Sequence, residues 1–140
     1  MDLSIKYFDS KDIEGFQAYS TQYSCYKYPR HFHEHYTIVF VLSGINKGFT
    51  EEGIYNLRPG GVLIINPGEL HAGESFDNNS IQLISFRLEP EIINKFIDQN
   101  NLEIEENPIF FSGEIYDPNL FSSGLKLAES LKISETLQPN

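Results

Sequence analysis

The sequence predicts a mostly β fold, an antiparallel sandwich or barrel followed by one or two helices. Three observations indicate this fold. The 140 residues include 11 Phe and 8 Tyr, and aromatic side chains favour pleated surfaces. Short apolar or alternating runs follow one another between Gly and Pro residues as far as residue 89, which is typical of antiparallel sheets. After Pro90 the apolar period becomes that of a helix.

The first part of the chain contains a succession of predicted strands. The clearest is β-branched and aromatic and ends at Gly44. An earlier stretch alternates loosely between aromatic and polar residues, which predicts one or two short strands. In chain order, the predicted strand regions are 15–28, 36–44, 46–50, 54–57, 62–68 and 80–88.

Two helices are predicted after the strands. The first covers residues 90–100, with Pro90 in its first turn and the apolar stripe Ile92, Ile93, Phe96 and Ile97. The second covers residues 116–134, with Asp117 as N-cap and Pro118 at the first helical position. Its apolar stripe is predicted to be Leu120, Gly124, Leu127, Ala128 and Leu131. We therefore expect a β-barrel at 1–89 and a helical appendage at 90–140, which would serve as a dimerisation or linker segment, in one structural domain.

The charge and the cysteine content exclude several classes of protein. The net charge is -10, with the acidic excess after residue 50. An acidic surface repels phosphate, so the chain is not expected to bind nucleic acid by itself. Cys25 is the single cysteine, which rules out an intrachain disulfide and favours a reducing compartment. No apolar run has the length of a signal peptide or a membrane span, so we expect a cytoplasmic protein.

Three segments carry a resemblance to a known family: HFHEHYTIVFVLSG at 31–44, YNLRPGGVLIINPGELHAG at 55–73 and ISFRLEP at 84–90. They resemble a cupin, and more narrowly the amino-terminal sensor domain of AraC-type transcription regulators. In the middle segment the matching positions are Leu57, Pro59, Gly60, Pro67, Gly68 and His71, while Gly61 replaces the usual acidic residue.

The resemblance implies a fold and a function. In such regulators a jelly-roll barrel binds a small effector, a helical segment dimerises, and a separate C-terminal helix-turn-helix domain binds DNA. This chain would then be the sensing and dimerisation domain of a longer regulator. It would form a homodimer and would reach DNA only through a C-terminal domain that it lacks. No enzymatic activity, catalytic residue or cofactor is expected.

The histidines indicate where an effector would bind. Alternate residues of a strand share a face, so His31, His33 and His35 can all point into the barrel. By the family pattern, His71 should lie on a neighbouring strand and meet His33 at the barrel mouth. We expect the effector to be small and polar, a sugar-like molecule being one candidate. The predicted ligand-binding residues are Arg30, His31, His33, His35, His71, Ile81 and Leu83.

Other interpretations of the same residues stay open. Metal-binding cupins, by resemblance, add a glutamate on the histidine strand, but Thr37 and Ile38 occupy the positions where it should stand. We therefore expect no metal, and if one binds, its ligands are His31, His33 and His71. The alternative function is a metal-dependent cupin enzyme, such as an isomerase or a dioxygenase. A third alternative is a structural dimerisation module whose barrel interior is filled by side chains. The histidines could also simply cap an exposed strand end.

Overall fold

The computed structural model describes residues 2–9, 13–24, 27–75 and 79–131. Within these ranges the chain forms two antiparallel sheets, and two helices follow the last strand. The predicted mostly β fold with C-terminal helices is therefore confirmed. The elements are β1 (Asp2–Asp9), β2 (Phe16–Ser24), β3 (Lys27–His31), β4 (Tyr36–Ser43), β5 (Asn46–Thr50), β6 (Gly53–Leu57), β7 (Val62–Ile65), β8 (His71–Ser75), β9 (Ile81–Leu88), α1 (Pro90–Gln99) and α2 (Pro118–Ser130).

The strand order places the last strand at the centre of the larger sheet. One sheet has the order β1-β2-β9-β4-β7, and the other has the order β3-β8-β5-β6. Ser85 of β9 lies opposite Tyr19 of β2 on one side and Val39 of β4 on the other. Because directly opposed residues share a face, the odd-numbered residues of β2, of β9 and of β4 as far as Val41 point to the same side of this sheet.

The odd-numbered face of the five-stranded sheet points toward the second sheet. Its apolar side chains join Tyr55 and Leu57 of β6 in one buried cluster. Burying aliphatic and aromatic side chains in this way is the main source of stability for a domain of this size. The cluster consists of Tyr23, Val39, Val41, Tyr55, Leu57, Leu63, Ile65, Ile81 and Leu83.

The even-numbered face of the same sheet is covered by α2. Phe40, Ile84 and Phe86 form a second buried cluster, against which the helix packs through Ala128. Asp117 is the N-cap as predicted, and its side chain accepts hydrogen bonds from the backbone N–H groups of residues 119 and 120. The sheet thus has two buried faces, one toward α2 and one toward the barrel interior.

Some sequence predictions about these elements were wrong. β1 was not predicted at all. Phe96 was placed on the apolar stripe of α1 but is 58% exposed, and Ile97 is the buried residue of that helix. Leu127 was placed on the stripe of α2 but is 40% exposed. The helix approaches the sheet along its small residues, Gly124 and Ala128, which turns its contact face away from Leu127. The side chains packed beside those two are Leu120, Phe121, Leu125 and Leu131.

The close approach of α2 leads to a stability prediction. A Cβ atom at Gly124 would collide with the buried ring of Phe40. Alanine favours a helix over glycine by about 1 kcal/mol, but overpacking a core costs about 1–3 kcal/mol. We expect Gly124→Ala to lower the free energy of unfolding by about 1 kcal/mol net in urea unfolding. Adding Phe40→Leu should relieve the collision, so the two changes should cost less together than their sum. An additive pair would contradict this packing.

Parts of the chain lie outside this description. Cys25 and residues 132–134, the end of the second predicted helix, are outside the described residues. In the part that is described, neither helix has the length and apolar character needed to cross a membrane.

Candidate functional site

Three histidine rings gather where the chain leaves the four-stranded sheet. His31 is the last residue of β3, and its Cα pairs with that of His71 at the start of β8. His33 follows two residues later. The ring centroids are 4.2 Å apart for His31 and His71, 4.7 Å for His33 and His71, and 5.0 Å for His31 and His33. The expected approach of His33 to His71 is therefore observed.

The expectation that His31, His33 and His35 lie on one strand was wrong. β3 ends at His31, and residues 32–35 form a bend that leads into β4. The bend is required because β3 and β4 belong to different sheets. Gly68 holds it by donating its N–H to the His33 carbonyl at 2.6 Å. The His35 ring stacks on His33 with centroids 4.5 Å apart, so the histidines stay together without sharing a strand.

The histidine cluster borders a cavity between the two sheets. The cavity has a volume of about 260 Å³, which is room for one small molecule. Its walls combine tyrosines and aliphatic side chains with a few polar groups, and no carboxylate lines it among the described residues. The lining residues are Ile5, Tyr7, Tyr19, Thr21, Tyr23, Tyr28, His31, His33, Thr37, Val39, Asn46, Tyr55, Leu63, Ile65, His71, Ala72, Gly73, Leu83, Ser85 and Arg87.

The predicted site residues divide into two groups. His31, His33, His71 and Leu83 line the cavity. The other three do not. The Arg30 guanidinium carbon lies 4.8 Å from the centroid of the Phe49 ring, in an outer groove. Ile81 is fully buried in the core cluster. His35 contacts the cavity only through the ring of His33.

Sequence reasoning missed Arg87, although the signal for it was present. Arg87 lines the cavity, and its guanidinium carbon lies 5.7 Å from the centroid of the Tyr19 ring. It is odd-numbered, like Leu83 and Ser85, so it lies on the face of β9 that points between the sheets. A cation on the inward face of an otherwise apolar strand is unusual, because burying a charge is costly unless the charge is paired. The pattern of β9 alone therefore singles out Arg87.

Several polar atoms around this end of the cavity have no hydrogen-bond partner within the protein. In the described part of the chain, the buried side-chain atoms without a partner are His33 Nδ1, His35 Nε2, Thr37 Oγ1 and Arg87 Nε. Thr37 and Arg87 are directly opposed on β4 and β9. Buried polar groups are nearly always paired, so a group of unpaired atoms around one cavity indicates a surface formed to receive a polar ligand.

Three imidazoles of this site, those of His33, His35 and His71, have lowered pKa values. Burial lowers the pKa of His33 to about 3, with smaller contributions from the neighbouring His71, His35, His31 and Arg87. Burial also lowers the pKa of His35 to about 4, and the Arg87 guanidinium adds to that shift. The pKa of His71 is lowered mainly by burial. Neutral imidazole carries one donor and one acceptor, so these rings can bind a polar group without adding positive charge.

Hydrogen bonds to backbone carbonyls fix the tautomers of two rings. His31 Nδ1 lies 2.7 Å from the carbonyl oxygen of Pro29, and His71 Nδ1 lies 2.9 Å from that of Glu69. A carbonyl oxygen only accepts, so the proton of each ring is on Nδ1. In the neutral form of each ring, Nε2 is therefore left as the acceptor.

The lowered pKa values of His33 and His35 make the fold sensitive to acid. Both rings have an unfolded pKa near 6.5 and a much lower folded value. As the pH falls from about 6.5 toward 4, the unfolded chain takes up protons that the folded chain does not, so the free energy of unfolding decreases. A fully buried ring would lose roughly 1.4 kcal/mol of unfolding free energy per pH unit. Since both rings are half-buried, we expect a smaller decrease in the free energy of unfolding.

Urea unfolding at pH 7, 6 and 5 tests this pH dependence, because most carboxylates titrate below that window. The double variant His33→Gln, His35→Gln should show a shallower decrease than the parent. Equal slopes for parent and variant would contradict the assignment of the effect to these rings.

The histidine cluster also brings enough ligand atoms close together to hold a metal ion. His31, His33 and His71 each offer one ring nitrogen, and these atoms all lie within 4.8 Å of one another. Three imidazoles are a known ligand set for zinc, and hydrogen bonds from Nδ1 to carbonyls, as at His31 and His71, are typical of metal-bound histidines. The three side chains thus fit a divalent transition-metal ion, which would supply Lewis acidity at the cavity mouth.

The two glutamates near His71 do not complete that ligand set. The carboxylate of Glu69 accepts hydrogen bonds from the backbone N–H of Asn66 at 3.1 Å, from the Ser112 hydroxyl at 2.5 Å and from the backbone N–H of Glu51 at 3.2 Å. The Glu69 side chain is 4% exposed, and its carboxylate is occupied by these hydrogen bonds. Glu74 lines the outer groove. A metal ion here would rest on neutral imidazoles alone, close to the positive Arg87.

Comparison with known proteins gives one family and one sequence relative. A family model described as the AraC-like ligand binding domain matches residues 13–123. The uncharacterized HTH-type transcriptional regulator YbfI of Bacillus subtilis (strain 168) is 28% identical over 83 residues, which is 59% of this chain. The match covers 30% of the length of that regulator.

Solved structures show the same fold at low sequence identity. The cupin domain of Cnp3 from Schizosaccharomyces pombe has a TM-score of 0.58 and 13% identity, and the match covers 69% of this chain and 71% of that chain. The DMSP lyase DddQ from Ruegeria pomeroyi DSS-3 has a TM-score of 0.54 and 20% identity, over 61% of this chain and 46% of that chain. These likenesses confirm the cupin-type barrel. From the family match over most of its length, the chain belongs to the family of AraC-like ligand-binding domains.

Proposed function

We propose that this chain is the effector-sensing domain of an AraC-type transcription regulator. A small polar molecule would bind in the cavity between the sheets and alter the activity of a DNA-binding domain elsewhere in the full protein. The observation that carries the proposal is the cavity itself, which has room for one small ligand and is bordered by unpaired polar atoms. A purely structural module would fill this space with side chains.

The bacterial relative supports the regulatory part of the proposal, since it is an HTH-type transcriptional regulator. The net charge of -10 is consistent with DNA contact through a different domain. We also infer a homodimer in the cytoplasm. The contact face of α2 is packed on its own barrel, so a dimer would have to use another surface.

A thermal-shift screen tests the sensing function. A ligand that binds only the folded state raises the melting temperature with its concentration, so at least one compound from a panel of sugars, amino acids and carboxylic acids should stabilise the domain. Ser85→Leu fills the cavity and should remove that shift, whereas Ser122→Leu on the exposed face of α2 should preserve it. If no compound stabilises the parent, or if Ser85→Leu responds equally, the sensing function is wrong.

The second candidate function is a metal-dependent cupin enzyme. The observation in its favour is the group of three convergent imidazoles, two of them with fixed tautomers. DddQ is a DMSP lyase, so a protein with this fold can be an enzyme. Two features argue against it here. No carboxylate reaches the ring nitrogens of His31, His33 and His71 among the described residues, and the guanidinium of Arg87 disfavours a second positive charge.

Metal analysis separates the two candidates. We expect the purified domain to retain well under one equivalent of transition metal after dialysis against a chelator, because its ligands would be neutral imidazoles without a carboxylate. Elemental analysis of the dialysed protein measures this, with His71→Ala as the background control. One tightly held ion per chain in the parent, absent from the variant, would favour the enzyme.

A further inference from the structure

We propose that the effector is a small organic carboxylate, with its carboxylate group held by Arg87 and Thr37 and its carbon body lying against the tyrosines of the cavity. The inference rests on the proposed sensing function and adds to it the chemical class of the ligand. It is carried by the position of one arginine, by the unpaired atoms around it and by the charge balance of the cavity wall.

Arg87 is placed on the wall by the sheet and not by a flexible loop. It lies in the central strand β9, where it pairs with Gln17 of β2 and Thr37 of β4. Its guanidinium carbon lies 5.7 Å from the centroid of the Tyr19 ring, and both residues line the cavity. An arginine fixed in this way can present its N–H donors as a fork, the geometry that matches a carboxylate.

The atoms around Arg87 are those that a carboxylate would satisfy. Arg87 Nε is buried and donates to no group of the protein. Thr37 is 2% exposed, and its hydroxyl also has no partner. The buried Nδ1 of His33 is a third free position. Two donors on adjacent strands, with an imidazole nearby, can donate hydrogen bonds to the two oxygens of one carboxylate.

The charge balance of the cavity favours an anion over a neutral ligand. Arg87 is the one charged side chain among the described residues that line the cavity. The other lining residues that the structure describes include no Lys, Asp or Glu. A sugar could satisfy hydrogen bonds but would leave the half-buried guanidinium of Arg87 without an opposite charge, which is less favourable than pairing it. One cation matches a monoanion, such as a carboxylate, better than a doubly charged phosphate.

The rest of the wall suits the carbon part of such a molecule. Tyr7 and Tyr19 form one aromatic side, with ring centroids 5.4 Å apart. Val39, Ile65 and Leu83 add aliphatic surface. Ring faces and aliphatic groups gain from covering an apolar body, so the favoured ligand has one charged end and an apolar body small enough for about 260 Å³.

Matched pairs of acids and amides test the proposal. The probes are acetate to octanoate, benzoate and hydroxybenzoates, each with its primary amide, together with neutral pentoses and hexoses. We expect at least one acid to raise the melting temperature while its amide does not. Calorimetric titration of that acid should show binding weakened about ten- to hundredfold by Arg87→Gln, the loss of a charge-assisted pair, and less by Thr37→Val. Arg30→Gln, which removes an arginine outside the cavity, should leave the affinity unchanged.

The outcomes separate this inference from the function on which it rests. If a neutral sugar binds and Arg87→Gln does not affect it, the domain senses a ligand but the carboxylate assignment is wrong. If neither acids nor sugars bind, the sensing function itself fails. Arg87→Lys keeps the charge and loses the fork, so it should bind the acid with intermediate affinity. This variant provides the comparison if Arg87→Gln does not fold.

Discussion

Replacing Glu69 by Ala should lower the free energy of unfolding by about 2–4 kcal/mol, since it leaves several donors unpaired. The carboxylate is 4% exposed and connects three segments: the loop at Asn66, the hairpin turn at Glu51 and the segment at Ser112. Asn66 in turn exchanges hydrogen bonds with the backbone of Phe110. Removing the carboxylate therefore disconnects the mouth of the barrel from the segment between the helices.

Urea unfolding of matched variants measures this effect. Glu69→Gln retains the shape and one acceptor oxygen, so it should cost about half as much as Glu69→Ala. Glu52→Ala removes an exposed glutamate from the same hairpin turn and should change stability by less than about 0.5 kcal/mol. If Glu69→Ala is as stable as Glu52→Ala, the carboxylate is not structural and could serve as a metal ligand after all.

His33→Ala and His71→Ala should each weaken effector binding by about 1–3 kcal/mol, the cost of leaving a buried polar partner unpaired. Both rings line the cavity, with centroids 4.7 Å apart. His33 has a free Nδ1, and His71 presents Nε2 because its Nδ1 donates to the carbonyl of Glu69. The fold should survive in each variant, since neither histidine belongs to the two apolar clusters.

The probe for these variants is the compound that most raises the melting temperature of the parent, titrated by calorimetry. Glu34→Gln changes an exposed side chain in the same bend and should bind like the parent. Circular dichroism checks that each variant is folded. Parent-like affinity in both histidine variants would place the effector away from the cluster, and the histidines would then be a polar edge of the barrel.

The strands and helices followed from the sequence where local signals agreed with the tertiary structure. β4 and β9 are β-branched or aromatic and end at Gly44 or before Pro90, and both were predicted within one residue of their bounds. Asp117 followed by Pro118 located the start of α2 because both residues favour a helix N-terminus. Leu127 was wrongly placed on the buried face of α2. Which face of the helix is buried depends on the close fit of Gly124 against Phe40, and the spacing of apolar residues does not show that fit.

The candidate site could be predicted only in part. The family pattern brought His33 and His71 together, but strand periodicity wrongly extended β4 back to His31, because nothing local shows that the chain changes sheets there. Arg30 was chosen for its place beside His31, yet adjacent residues of a strand face opposite sides. Arg87 was overlooked although the parity of β9 places it on the same face as Leu83. Its position opposite Thr37 depends on the pairing of β9 with β4, which the sequence does not show.

The most direct test of the central claim is a crystal structure of the domain with the compound that stabilises it most. The account predicts that the compound lies in the cavity between the sheets, within hydrogen-bonding distance of Arg87 or Thr37 and beside the ring of His33. It also predicts that at least one of the four unpaired polar atoms gains a partner from the ligand. A compound bound on the outer groove near Arg30 and Phe49, with the cavity unchanged, would contradict it.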